Sequence, residues 1–167
     1  HHSAIFVHPN PGKLEDTVRL LEIIRERTGD EYYTMMHGDP TFAIPDGDTM
    51  LDFTTAMYEE PERLQEQSRQ NTERALEWAS QLARHPGLLD GFTLCSDYCL
   101  NANPFFTPDM FSELIAPDLK RVIDGYRDMG FYTIKHTDGN IMPILDQIVQ
   151  CGPDAIHSLD PQGGVDL

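Results

Sequence analysis

Short apolar runs alternate with longer amphipathic stretches along most of the chain. The apolar runs cover residues 32–36, 91–95, 131–135 and 154–157, and glycine, proline or aspartate residues border them. Runs of this length that are rich in aromatic and β-branched residues are typical of buried strands. The stretches between them are long enough for helices. The pattern therefore predicts parallel strands joined by helical crossovers, which is an α/β fold.

Apolar residues that recur at intervals of three and four predict four helices before residue 130. These helices are expected at residues 12–27 and 50–58, from Pro61 to the turn at His85, and from Thr107 onward. A proline inside a helix removes a backbone hydrogen bond and clashes with the preceding turn. Pro117 is therefore expected to kink or divide the last of these helices.

The segment FYTIKHTDGNIMPILDQIVQCGPDAIHSLD, residues 131–160, organises the rest of the prediction. Its pattern indicates a strand, a polar loop, a helix, a turn and a second strand. Apolar residues from Ile141 to Val149 recur at helical spacing, and Gly152 followed by Pro153 is a typical helix end. Two strands joined by a helix of this length form a right-handed parallel βαβ unit.

Polar side chains follow each predicted strand at its carboxyl end. In parallel α/β folds this edge carries the functional site, because the loops vary there while the sheet holds them in place. The candidates are His37 after the first run, Asp97 and Tyr98 after the second, His136, Asp138 and Asn140 after the third, and His157 and Asp160 after the fourth. We expect the histidines and Asp97 and Asp138 to share one rim.

Two stretches resemble the uroporphyrinogen decarboxylase superfamily: KHTDGNIMPILDQIVQCGPDAIHSLDP and, upstream of it, NPFFTPDMFSELIAPDLKRVIDGYRDMG. That superfamily contains the decarboxylase of haem biosynthesis and the corrinoid-linked methyltransferases. The resemblance runs from Asp90 to Leu167 and continues more weakly back to Tyr32. It implies a TIM (β/α)8 barrel. A whole barrel typically has about 250 residues, so the 167 residues are expected to form one domain covering its middle and later strands.

The resemblance also implies a zinc site. In the methyltransferases a His-x-Cys pair in this loop and a later cysteine hold zinc; here His136 matches the histidine and Asp138 replaces the cysteine. A histidine with carboxylates makes a harder, more Lewis-acidic site, with Asp97 as a second candidate ligand. A substrate contact without metal and a structural role are the alternatives for His136. The catalytic candidates are thus His136, Asp138 and Asp97, and the candidate substrate contacts are His37, Tyr98, Asn140 and His157.

The function implied by the resemblance is methyl transfer between a small methylated substrate and a corrinoid carried by a partner protein. Uroporphyrinogen III decarboxylation is the first alternative. The loops HGDP, SDYCLNANP, HTDGN and HSLDPQGG contain no arginine, and their aspartates would repel a substrate with eight carboxylates. The second alternative is a barrel that binds a ligand or a corrinoid protein without catalysis.

The amino-acid composition disfavours some classes of binding partner. The chain has 12 Lys+Arg and 28 Asp+Glu, a formal net charge of −16, which disfavours nucleic acid and anionic membrane surfaces. It contains no apolar stretch long enough for a membrane span and no signal-peptide pattern, and the cysteines Cys95, Cys99 and Cys151 suit a reducing cytoplasm. No dinucleotide, P-loop or serine-hydrolase motif occurs. We interpret His1-His2-Ser3 as the end of a purification tag.

Overall fold

The computed structural model describes residues 3–7 and 13–166, and its centre is a parallel sheet of five strands. In sheet order these strands are β1 (Ser3–Val7), β2 (Tyr32–His37), β3 (Gly91–Leu94), β6 (Tyr132–His136) and β7 (Ala155–His157). A small hairpin of β4 (Cys99–Leu100) and β5 (Asn103–Pro104) follows β3. The helices are α1 (Leu14–Thr28), α2 (Gly47–Glu59), α3 (Pro61–Leu82), α4 (Pro108–Leu114), α5 (Ala116–Asp128) and α6 (Leu145–Cys151).

The helices form one continuous layer on one face of the sheet. Each sheet strand pairs in parallel with the next sheet strand along the chain, and right-handed crossovers between such neighbours place their helices on the same face. Accordingly α1 contacts α3, α3 contacts α5 and α5 contacts α6. The ring of Phe92 in β3 stacks on Tyr126 of α5 with the ring centroids 4.1 Å apart.

Helix α5 shows why this layer forms. Its large apolar residues are fully buried and recur at helical spacing: Leu119, Val122, Ile123 and Tyr126. Most of the remaining positions of α5 are charged, so the helix has one face for the core and one for solvent. Among the described residues, no helix has both the length and the apolar character that a membrane crossing needs.

The opposite face of the sheet is open. Residues on neighbouring strands that pair directly point to the same side, so the strand register separates the two faces. On the face away from the helices, Phe6, Tyr33 and Tyr132 are 54%, 45% and 54% exposed. The rings of Tyr33 and Tyr132 meet edge to face across β3, 6.0 Å apart. An exposed aromatic surface of this kind is typical of a face that another part of a protein covers.

The predicted α/β class is confirmed as a five-stranded parallel sheet with helical connections. All four predicted strands are present with ends shifted by at most one residue, and Pro117 divides the predicted helix into α4 and α5. The predicted helix near Ile141 begins as a 3₁₀ turn (Met142–Ile144) before α6. Gly152 ends α6 in the left-handed conformation, with φ 80°.

Some expectations need correction. Ser3, which we had set aside with the tag, begins β1, and this strand pairs with β2 along its whole length. His1 and His2 lie outside the described residues, as does Gly12 at the predicted start of the first helix; α1 is described from Leu14. The β4–β5 hairpin was also not predicted.

Gly91 provides a test of the packing in the middle of the sheet. A methyl group added there would overlap the carbonyl oxygen of Tyr132 and lie 3.0 Å from Cε of Met35. We expect Gly91→Ala to lower the free energy of unfolding by about 1–3 kcal/mol, the usual cost of overpacking. Urea denaturation measures this change. The control is Gly47→Ala at the start of α2, where no neighbouring atom lies within 4 Å of the added methyl. Equal stability of the two variants would contradict the described packing.

Candidate active site

Polar loop residues meet at the carboxyl edge of the sheet, where parallel strands place their functional loops. His136 is the last residue of β6 and His157 the last of β7, and the register pairs them directly. Asp97 lies in the loop after β3, and Asp138 lies in the loop after β6. The sequence predicts His136 as the first residue after its strand. In the structure His136 is the last residue of that strand.

Asp97, His136 and Asp138 converge on one point. Nε2 of His136 lies 3.9 Å from Oδ1 of Asp97 and 3.8 Å from Oδ1 of Asp138. The backbone N–H of Asp138 donates to Oδ1 of Asp97 at 3.1 Å, which joins the two loops. The His136 side chain is 26% exposed, and the carboxylates are 46% and 65% exposed. The three groups are thus close together and open to a ligand from solvent.

The other ring nitrogen of His136 is engaged on the opposite side. Its Nδ1 lies 2.8 Å from Nδ1 of His157 and 3.0 Å from Oγ of Ser158. The Ser158 hydroxyl is also 3.2 Å from Nδ1 of His157, and the two imidazole rings stack with their centroids 5.1 Å apart. Because Nδ1 is held in this way, Nε2 faces the two carboxylates.

This donor set fits a zinc ion. One ligand atom each from Asp97, His136 and Asp138 lie within 4.8 Å of one another. Zinc binds imidazole nitrogen and carboxylate oxygen at about 2.0–2.2 Å, so its tetrahedral ligands lie about 3.4 Å apart. The aspartate side chains are 46% and 65% exposed, and a rotation about their side-chain bonds would bring the oxygens to this spacing. Three protein ligands leave a position for substrate, and the contacts to Nδ1 supply the outer support that a zinc-bound histidine usually has.

A buried ion pair lies beneath these loops. Nζ of Lys135 donates to Oδ2 of Asp39 at 2.8 Å, and both side chains are 0% exposed. The same ammonium group donates to the carbonyl oxygens of Leu94 at 3.0 Å and Ser96 at 2.8 Å. It also lies 4.0 Å from the centre of the Tyr98 ring, a cation–π contact. Lys135 therefore ties the ends of β2, β3 and β6 together.

Hydrogen bonds extend this pair to the residues on either side of Asp97. Asp39 accepts from the backbone N–H of Ser96 at 2.9 Å and from the Thr41 hydroxyl at 2.6 Å. The hydroxyls of Thr41 and Tyr98 are 2.7 Å apart, and the Tyr98 backbone N–H donates to the hydroxyl of Thr137 at 2.9 Å. Asp97 is thus held between two anchored neighbours, Ser96 and Tyr98.

The ionisation of this buried network follows from its contacts. Burial raises the pKa of Asp39, but the charge and hydrogen bond of Lys135, with those of Thr41 and Ser96, outweigh burial and hold the pKa below its ordinary value of 3.8. Burial lowers the pKa of Lys135, and the Asp39 carboxylate opposes this shift. Burial and then the charge of Asp39 raise the pKa of Tyr98 well above 10.0. Tyr98 therefore stays a neutral hydroxyl.

Some predicted substrate contacts have structural partners. Tyr98 is fully buried within the network described above, so its ring and hydroxyl support the loop from below. Nδ2 of Asn140 donates to the carbonyl oxygen of Ala102 at 3.1 Å, and its Oδ1 accepts from the backbone N–H of Met142 at 3.2 Å. Both ends of the Asn140 amide are engaged in shaping its loop. Tyr98 is therefore a support of the site and not the substrate contact that we predicted, because it is fully buried. The substrate contact of Asn140 stays a prediction.

His37 lies at the same edge but apart from the cluster. It is the exposed last residue of β2 and pairs with Thr93, which in turn pairs with Ile134. This register places His37 two strands away from His136 on the same face of the sheet. His37 is level with Ile134, two residues before His136. It lines an open cleft of about 450 Å³ that Arg74 and Trp78 of α3 also line. The structure thus brings Asp97, His136, Asp138 and His157 together and leaves His37 outside.

The cysteines are free thiols, as expected. Cys95 is exposed, whereas Cys99 and Cys151 are buried. Burial raises the pKa of each buried thiol to about 11. These two thiols are therefore un-ionised at neutral pH, and thiolate is the form that binds metal or attacks an electrophile.

Comparison with known proteins gives one similarity in structure. The sequence matches no model of a protein family, and it matches no curated protein. The structure is similar to that of a methyltransferase from Methanosarcina mazei, with a TM-score of 0.66 and 18% sequence identity over 87% of this chain. The two proteins share a fold. This chain spans 41% of the length of the methyltransferase.

Sequence reasoning missed the residues that hold the site in place. Lys135 has a recognisable signal, because a lysine in an apolar strand of a parallel sheet is buried only when it is paired. Its partner Asp39 is 96 residues away and carries no local signal. Ser158 follows His157 directly, and its role depends on a backbone conformation that residue type alone does not indicate.

The Asp39–Lys135 pair can be tested by breaking it. We expect Lys135→Met to lower the free energy of unfolding by about 3–5 kcal/mol, because it leaves the Asp39 carboxylate buried without a partner. The double variant Asp39→Leu, Lys135→Met should recover most of this loss. Lys120→Met is the matched control: the Lys120–Asp124 pair has the same 2.8 Å separation but is about half exposed, so its loss should cost less than about 1 kcal/mol. Similar costs for the two single lysine variants would contradict the structure.

Acid should weaken the same pair. Since the pKa of folded Asp39 lies below its unfolded value, the stability that the pair contributes is complete above about pH 4 and is lost as the pH falls through the folded pKa. We expect the free energy of unfolding to fall more steeply below pH 4 in the wild type than in the double variant. Urea denaturation at a series of pH values between about pH 2 and pH 7 measures the free energy of unfolding of both proteins as a function of pH. Parallel curves would show that the Asp39 pKa is not depressed.

Proposed function

We propose that the five strands form one arc of a TIM (β/α)8 barrel. Three observations support this proposal: the strand order follows the chain, the helices form one layer, and the face with Phe6, Tyr33 and Tyr132 is open. In a doubly wound fold the strand order reverses and helices cover both faces. In a closed barrel the open face would pack against side chains from the remaining strands.

We further propose that the protein to which this chain belongs is a methyltransferase, moving a methyl group between a small methylated substrate and a corrinoid on a partner protein. The observation that carries this proposal is the convergence of Asp97, His136 and Asp138 at the carboxyl edge. The resemblance to corrinoid-linked methyltransferases and the fold shared with a methyltransferase support the reaction class. The substrate and the corrinoid partner come from the resemblance alone.

The chemistry requires help at the leaving atom. An unactivated ether oxygen or amine nitrogen is a poor leaving group, so an acid must lie beside it. Asp97, His136 and Asp138 would hold zinc, and zinc when bound supplies Lewis acidity to the substrate heteroatom. In a metal-free version the imidazolium form of His136, beside Asp97 and Asp138, would donate its Nε2 proton to that heteroatom as the bond between the heteroatom and the methyl group breaks and the methyl group passes to the corrinoid. In both versions His157 and Ser158 keep Nε2 directed toward the substrate side.

The charge of the site opposes the decarboxylase alternative. Asp97 and Asp138 are exposed at the rim, whereas the amino group of Lys135 is buried against Asp39. An edge with exposed carboxylates and a buried cation repels a substrate with eight carboxylates. A barrel that binds without catalysis is the remaining alternative, and activity measurements distinguish it.

His136→Ala tests the proposal in two measurements. We expect the wild type to bind one zinc ion per chain and the variant to lose it, as measured by elemental analysis after zinc loading and dialysis. In the protein that includes this chain, the variant should lose methyl transfer by about 10²-fold or more, the usual contribution of an acid catalyst. The absorbance change of the corrinoid reports the transfer.

His85→Ala is the control, because His85 is exposed and lies between α3 and β3 at the opposite edge of the sheet. It should change neither zinc content nor activity. Loss of activity in His136→Ala without zinc in the wild type would select the proton-donor version. Full methyl transfer by His136→Ala, or efficient decarboxylation of uroporphyrinogen by the wild type, would overturn the proposed function.

A further inference from the structure

Ser158 has an unusual backbone conformation. Its φ is 65°, and among residues 3–7 and 13–166 it is the one non-glycine residue with positive φ. Residues with a Cβ adopt this left-handed region at a cost, and they keep it only where the surrounding structure holds them. The side chain of Asp160 accepts from the backbone N–H of Gln162 at 2.8 Å, which fixes the turn that follows.

The strained conformation places the Ser158 hydroxyl between two histidines. Oγ lies 3.0 Å from Nδ1 of His136 and 3.2 Å from Nδ1 of His157. A hydroxyl both donates and accepts, so it satisfies two neutral imidazoles at once. The two Nδ1 atoms are themselves 2.8 Å apart, so only one of them can carry a proton, and the hydroxyl is the third member of this group. In the arrangement that uses all three atoms, Nδ1–H of His136 would donate to Oγ and the hydroxyl proton would go to Nδ1 of His157. Nε2 of His136, which faces Asp97 and Asp138, would then have the free lone pair that the zinc-binding version of the site requires.

We propose that Ser158 is a positioning residue that holds the His136 ring in the tautomer and orientation the site requires. The proposal deepens the proposed function, since it assigns a support to the same site. The strained backbone conformation of Ser158 is what brings Oγ within hydrogen-bond distance of both rings. Ser158 therefore stabilises the site at the expense of local backbone energy.

This proposal predicts that stability and zinc affinity change in opposite directions. Ser158→Gly relieves the strained φ and removes the hydroxyl, so we expect Tm to rise by about 2–4 °C while zinc affinity falls about 10–100-fold. Ser158→Ala removes the hydroxyl but keeps the strain, so zinc affinity should fall equally without a rise in Tm. Thermal unfolding of the metal-free protein and calorimetric titration with zinc measure the two quantities. A role in folding alone would not lower affinity while raising Tm.

Ser112→Ala is the matched control. Its hydroxyl donates to the carbonyl oxygen of Asp109 at 2.7 Å within α4, so this variant should change neither the tautomer of His136 nor zinc affinity. Nitrogen-15 NMR of the imidazole rings reports the tautomer without any metal. We expect one tautomer of His136 in the wild type and a mixture in Ser158→Ala and Ser158→Gly.

The two readouts separate failure of this proposal from failure of the zinc site. If the wild type binds no zinc but both Ser158 variants change the tautomer of His136, positioning by Ser158 stands and the zinc site fails. If the wild type binds zinc and both variants keep its affinity and the wild-type tautomer, Ser158 has no positioning role. A lower Tm for Ser158→Gly than for the wild type would overturn the role of backbone strain.

Discussion

The carboxyl edge of this sheet depends on one buried ion pair. Removing a lysine and an aspartate from water costs several kcal/mol per ion, and the cost is recovered only when good geometry and further hydrogen bonds satisfy both groups. Asp39 and Lys135 meet that condition, because carbonyl oxygens, a backbone N–H and a hydroxyl surround them. The pair and its partners belong to the loop after β2, to the end of β3 and the loop that follows it, and to β6, which supplies Lys135. The pair can therefore form only when those three elements are in register, and their register is what places Asp97 beside His136 and Asp138.

The charges above and below the loops have different roles. Asp39 is fully buried, and both of its carboxylate oxygens accept hydrogen bonds from the protein, so its role is structural. The side chains of Asp97 and Asp138 are exposed. His136 lies near both carboxylates, and the backbone N–H of Asp138 donates to Asp97. Carboxylates held in place but left open are suited to a ligand. The rigid pair below and the open carboxylates above together make an edge that can bind a cation or an acidic proton in a defined position.

The local pattern of apolar and polar residues was sufficient to predict the helices and four of the five sheet strands. Burial of a strand or of one helix face determines which nearby positions are apolar. The pattern also located Asp97, His136 and Asp138, since each follows a predicted strand. It did not locate β1, whose short SAIFV run follows two histidines that suggest a tag. Tyr98 was placed at the rim because its burial depends on Thr41, 57 residues away. The contribution of Ser158 depends on φ, which the sequence pattern does not indicate.

The most direct test of this account is a crystal structure of the zinc-soaked protein with anomalous scattering recorded at the zinc edge. The account predicts one peak at about 2.0–2.2 Å from Nε2 of His136 and from one oxygen each of Asp97 and Asp138. Nδ1 of His136 should keep its contact with Ser158, and Lys135 should stay paired with Asp39. A zinc peak elsewhere at saturating metal, or a His136 ring whose Nε2 faces away from both carboxylates, would contradict the convergence on which the proposed function rests.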